Sequence, residues 1–313
     1  MTVLGYLDAW RASGRISAEE YATLAPVVRK ERFSVFLELH ALLYLGVVFF
    51  VAGLGWTVRE HFTSLGDAAI VVPLALVFAG CLYYCFSRAQ PYTHGQVESP
   101  TFGFDYVLYL GCLVFAVELG YIEFRFELLQ ANWDFYLLMS AALYFTLAYR
   151  FDNRFVLSLA LSTLAGFFGV RLSWLGFGPG TLRVNALAYA ALLAAAGSWT
   201  RRAGVKTHFL DTYLHVASNV ALAALVSGVA SGEPRWLWIA GLIFACAFVI
   251  ERGMRTLRFA YVVYGTAYGY VGLSIRIVDA IGDLGFTLLY FVVSSLAVII
   301  SLVAVSHRLG REE

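Results

Sequence analysis

Arg276 stands inside an otherwise apolar stretch, Phe259–Val278, where a charge is costly and persists only with a partner or a task. Gly265, Gly269, Gly272 and Arg276 recur at i, i+4, i+7 and i+11, which places them on one helix face. Gly265-x-x-x-Gly269 is a close-packing motif, so this face is expected to meet another helix, with Arg276 pointing inward to a carboxylate. Glu118, which interrupts the run Tyr106–Ile122, is the expected partner, with Asp279 and Asp283 as alternatives. Such a pair serves either as a static ion pair or in solute binding and gating.

A second stripe joins Asp211, His215 and Asn219 at i, i+4 and i+8. A carboxylate pairs with the protonated form of a neighbouring imidazole, and a chain of such groups can relay protons or attract cations. The same spacing also suits interhelical hydrogen bonding. Glu38 and His40, at the inner end of the first helix, fall at a comparable depth. Cys81-x-x-x-Cys85 sets two thiols on one face, with Cys112 as a candidate further ligand, but nothing in the spacing demands a metal. These cysteines read as small apolar residues, and neither metal nor cofactor is expected. The phosphate-binding loop, the His-Glu-x-x-His helix and the nucleophile elbow are all absent from the sequence, so catalysis is not the leading expectation.

The elements that must position these groups are apolar helices. Of 313 residues, 60% are hydrophobic and only 14% charged, well below the roughly 25% of soluble domains. The run Ala41–Val58 holds no charged side chain and, as a helix, is about 27 Å long, close to the thickness of a bilayer core. Comparable runs follow at Ala68–Ser87, Tyr106–Ile122, Phe135–Tyr149, Phe155–Val170, Val184–Thr200, Thr212–Gly232, Trp236–Ile250, Phe259–Val278 and Leu284–Ser306. The expected fold is all-α: a polytopic membrane bundle of about ten helices over residues 36–309, with a short tail at 310–313. The net charge of +1 and the lack of a basic stripe exclude a nucleic-acid partner.

Lysine and arginine set the orientation. With a cytoplasmic N-terminus, the inner segments hold Arg11, Arg15, Arg29, Lys30, Arg32, Arg88, Arg150, Arg154, Arg201, Arg202, Lys206, Arg252, Arg255, Arg258, Arg308 and Arg311. The outer side holds only Arg59, Arg125, Arg171, Arg183, Arg235 and Arg276. Both termini are therefore expected in the cytoplasm, and Trp56, Trp133, Trp174, Trp236 and Trp238 fall at outer helix ends as an aromatic belt. A faint echo, Asn153-Arg154-Phe155 against Leu257-Arg258-Phe259, suggests a parallel repeat of about four helices.

Residues 1–35 read as a cytoplasmic or interfacial helical hairpin. Val3, Leu4, Leu7 and Trp10 recur at helical spacing, Gly14 is a stop, and Ser17-x-x-Glu20 is a capping box. Pro26 interrupts the second helix before the basic residues Arg29, Lys30 and Arg32. The hairpin either anchors at the lipid interface or docks a protein partner.

The pattern Leu7-x-x-Trp10, Ser13-Gly14-x-Ile16-Ser17-x-Glu19-Glu20, then a helix bearing Gly46 and Gly53, resembles the N-terminal half of a bacterial family of predicted membrane proteins of unknown function. The likeness spans about residues 4–60. This chain departs from the family at Gly55-Trp56, where an Asn-Trp pair is expected, and carries Asn132-Trp133-Asp134 further on. The resemblance implies a bacterial inner-membrane, multi-helix protein and supplies no catalytic residues. Three functions are expected, in this order: a transporter or channel for a small solute, ion or lipid; a non-catalytic subunit, scaffold or sensor of a larger membrane complex; and a lipid-acting enzyme.

Overall fold

The structure, a computed structural model, describes residues 10–11, 13–17, 21, 45–49, 52–53, 56, 66–174, 178–231 and 233–312. It divides into two compact units, Met1–Ile70 and Val71–Glu313. In the first unit Gly14 takes φ +71°, a conformation in which glycine meets no Cβ penalty, and Arg15 N–H donates to Trp10 O at 2.9 Å. This is the helix stop expected from the sequence. The Arg11 guanidinium lies 4.7 Å from the centre of the Tyr21 ring. The remainder of the expected hairpin, Glu38 and His40 lie outside the described residues; of Ala41–Val58, residues 45–49, 52–53 and 56 are described, and they are helical.

From Asp67 onward the described chain is helical with no strand. The helices are α1 (Asp67–Arg88), α2 (Phe102–Phe126), α3 (Phe135–Phe151), α4 (Arg154–Trp174) and α5 (Pro179–Arg202), followed by α6 (Phe209–Ser231), α7 (Arg235–Arg255), α8 (Phe259–Ile281) and α9 (Leu284–Glu312). A short 3-10 turn, Gln130–Asn132, precedes α3. Several helices outrun the charge-free stretches, because a helix end in an interfacial region tolerates Asp105, Arg125 or Arg202. The helix of α9 runs through Glu312, so residues 310–312 continue it.

Caps explain the boundaries. Asn153 Oδ1 accepts the Val156 N–H at 3.0 Å at the start of α4. Pro179 occupies the first turn of α5, after the extended Gly178. Gly282, at φ +65°, closes α8 by donating to Val278 O, and Asp283 Oδ1 then accepts the Phe286 N–H at 3.0 Å to open α9.

Among the described residues six helices are long and apolar enough to cross a membrane: α1, α2, α4, α6, α7 and α9. Helix α3 is apolar but shorter. Helices α5 and α8 are rich in Ala, Gly and Tyr, and their small residues allow close packing. Packing is organised on α6, which contacts α4, α5, α7 and α8. Its centre is a cluster of Leu222, Leu225 and Val229 with Leu242, Cys246, Val249 and Tyr261. Small residues permit the approach: a Cβ on Gly228 would overlap the Trp238 ring. Helix α9 contacts α8 and buries none of its apolar window, leaving Phe286, Leu289, Val292, Val293, Leu296 and Ile300 exposed. Apolar exposure on this scale needs an apolar solvent to cover it.

Candidate functional site

Two polar constellations are built into the second unit, and they differ in how completely they are paired. The first sits where three interhelical connections meet. Asp152, in the α3–α4 turn at φ +58°, is held with its side chain 1% exposed. Lys206 Nζ, equally buried, lies 3.1 Å from Asp152 Oδ2, and His208 Nε2 lies 2.5 Å from Oδ1. The Val97 N–H donates to Oδ2 as well. Lys206 Nζ also donates to Gly95 O at 3.0 Å, its backbone N–H donates to His94 O at 2.8 Å, and its ammonium faces the Tyr92 ring. Next door, Asn153 Nδ2 donates to Asp105 Oδ1 at 2.9 Å and to Tyr109 Oη at 3.0 Å, while Ser99 Oγ donates to both Asp105 oxygens. A carboxylate that accepts from an ammonium, an imidazole and an amide is saturated, and the arrangement clasps the α1–α2, α3–α4 and α5–α6 connections together.

The second constellation runs along α6 where α8 packs on it. Asp211 Oδ2 pairs with Arg258 Nη2 at 2.8 Å at the start of α6. One turn on, the His215 ring stacks on Tyr261, with centroids 4.4 Å apart and planes 8° from parallel, and meets Tyr264 edge-on. His215 Nδ1 is buried without a hydrogen-bond partner. After a further turn, Asn219 donates to His215 O at 2.8 Å and accepts from Tyr268 Oη at 3.3 Å. The three residues singled out by spacing thus share the α6/α8 seam, tied at both ends and open at the centre.

The other expected residues are placed differently. Arg276 pairs with Asp279 at 3.0 Å, one turn along its own helix, which is one of the alternatives named from the sequence. Among the described residues, Glu118 makes no ion pair. Gly265, Gly269 and Gly272 lie against α7: a Cβ on Gly265 would come 2.6 Å from Ile250, one on Gly269 would sit 3.4 Å from Cys246 Sγ, and one on Gly272 would overlap Leu242. The four cysteines are buried free thiols. Among the described residues no group of three or more His, Cys, Asp or Glu side chains is arranged to hold a metal ion.

Spacing did not reveal Asp152, Lys206 and His208. Each looks like an ordinary loop charge, and the only signal was an acid in a two-residue turn facing a Lys-x-His in another short loop. Arg183 was also missed. Counted as an outer-loop base, it is instead buried, donating to Ser227 Oγ at 3.1 Å and Ser231 Oγ at 2.5 Å, with Trp238 beside it. The Ser227-x-x-x-Ser231 pair on one face of α6 was its readable trace. Asn132 and Asp134 at the opposite end of the helices receive Arg171, at 2.9 and 3.4 Å.

A family described as "Predicted membrane protein (DUF2157)" matches residues 8–157, just under half of the chain. The match takes in Asp152 and ends at the fourth residue of α4, so Lys206, His208 and the α6/α8 stripe lie beyond it. No curated protein and no solved structure matches the chain. The family match and the apolar helices together describe a membrane protein with several membrane-crossing helices.

Proposed function

We propose that this chain is a transporter or channel for a small ion or solute in a bacterial cytoplasmic membrane, and that the Asp211–His215–Asn219 face of α6 is its polar track. In this reading the bundle has about ten membrane helices with both termini in the cytoplasm, and Arg276 and Glu118 are charged groups toward the outer side. One observation carries it: His215 presents a buried, unpartnered ring nitrogen midway along a polar stripe otherwise closed by Arg258 and Tyr268. An orphan nitrogen in a packed seam costs stability, and a proton or ion that visits it would supply the missing partner. An imidazole can accept a proton on one ring nitrogen and release one from the other. The groups that face it are Asp211 on its own helix, Arg258 at the α7–α8 connection, Tyr261 and Tyr264 on α8, and Arg252 across the Tyr261 ring.

The test is proton flux in proteoliposomes carrying a pH-sensitive dye, driven by an imposed membrane potential. Protein-dependent acidification that His215→Phe removes, in a variant that purifies and melts like the parent, supports the reading. Flux equal to that of empty vesicles, or unchanged in the variant, overturns the track.

A further inference from the structure

We propose that Arg201, Arg202 and Arg252 form a binding site for a phosphate group, presented as the headgroup of an anionic phospholipid. The site adjoins the α6/α8 stripe through Arg252 and Tyr261 but stands whether or not the chain transports anything. A cleft of about 470 Å³ opens between the ends of α5 and α7 and is lined by Ser198, Arg201 and Arg202 of α5, Leu210 and Leu214 of α6, and Arg252 of α7. Three arginines thus line one opening, and among the described residues none of them forms an ion pair.

The nearby acids are already committed. Asp211 pairs with Arg258, and Glu251, the chain neighbour of Arg252, pairs with Arg255. Arg252 is the most telling of the three. Its Nε is buried without a hydrogen-bond partner, while its guanidinium carbon sits 5.6 Å from the centre of the Tyr261 ring. With no carboxylate partner among the described residues, its planar fork of donors is the recognition element for a phosphate oxygen pair. All three lie in the last turn of α5 or α7, where the helix dipole favours cations, and the packing of these two helix ends around α6 brings them to one cleft.

The surroundings favour a lipid as the source. Phe244, Phe248 and Arg252 are spaced i, i+4 and i+8, so one face of α7 leads from exposed aromatic rings to the arginine. On α5, Trp199 is 74% exposed beside the cleft-lining Ser198. A headgroup held by the arginines would therefore have an apolar helix face along which its acyl chain could lie, and basic clefts between membrane helices take anionic headgroups in this way.

Native mass spectrometry of the intact chain in a neutral detergent tests the site, with phosphatidylglycerol, phosphatidylcholine or inorganic phosphate added in separate arms. The expected result is preferential retention of phosphatidylglycerol, with affinity falling about fivefold for each arginine replaced in Arg201→Gln, Arg202→Gln and Arg252→Gln. Arg252→Lys should keep part of the affinity, since charge survives while the fork is lost. Inorganic phosphate binding with the same arginine dependence, but no preference between the two lipids, would retain the phosphate site and overturn the lipid source. Retention of both lipids alike with no phosphate effect, or unchanged affinity in Arg202→Gln at an unaltered melting temperature, would overturn the site itself.

Discussion

The Asp152 clasp and the α6/α8 stripe contain similar chemistry, a carboxylate, a histidine and a base, yet they are finished to different degrees. At Asp152 every charged group has its counterpart: Lys206 and His208 flank the carboxylate, and backbone groups at Val97 and Gly95 take up the remaining contacts. At His215 the imidazole stacks on Tyr261 and meets Tyr264 edge-on, and one nitrogen is left over. A saturated buried charge cluster holds parts together, because removing any member strands the others in low dielectric. A cluster with an orphan atom gives up stability at that point, as sites for ligands or protons do.

The sharpest way to break the comparison is to remove charge from the clasp. Asp152→Asn leaves the Lys206 ammonium buried without its counter-ion, and unfolding in detergent should show a loss of about 3–5 kcal/mol. Replacing both partners, as Asp152→Leu with Lys206→Met, should recover most of that loss, and a double variant no better than the single one would argue against pairing as the cause. Gly228→Ala probes the packing that shapes the stripe's neighbourhood. Its new methyl would overlap the rigid Trp238 ring, so a loss of about 1–3 kcal/mol is expected, partly relieved by Trp238→Leu.

Smaller effects belong to the periphery. Helix α9 is joined to α8 by Tyr290 with Ser274 and Ser294 with Tyr270, at 2.8 and 3.0 Å. Tyr290→Phe should cost only about 0.6 kcal/mol, the typical value for an interhelical hydrogen bond in a membrane, measured by the same unfolding assay. At the other pole of the comparison, His215→Phe should leave stability within about 1 kcal/mol of the parent. The ring stack on Tyr261 survives in that variant and an unpaired nitrogen disappears. A large loss of stability in this variant would place the stripe with the clasp as a purely structural feature.

What could be read before folding follows from short-range rules. The helix stop at Gly14 was visible because it needs only the local sequence and its backbone preference. So were the helical stretches after Asp67, and the shared face of Asp211, His215 and Asn219, because helical periodicity is local. The pairing of charges was not. Arg276 is isolated in its run, which favoured a distant partner, but Asp279 lies three residues away and costs no chain closure to reach. Arg183 looked like a loop charge because its partners, Ser227 and Ser231, lie on another helix.

The sequence by itself determined the solvent and the secondary structure: long apolar runs with few charges make helices whose outer faces require an apolar surrounding, whatever they pack against. Only the tertiary structure decided which polar groups are complete and which are open. Asp152, Lys206 and His208 are joined, and Arg201, Arg202 and Arg252 share a cleft, because α6 packs against α4, α5, α7 and α8 and so brings together segments distant in the chain. Periodicity fixes the face a residue occupies on its own helix. What stands opposite that face is set by the packing of small residues such as Gly228 and Gly265 against their neighbours, which no single stretch of sequence encodes.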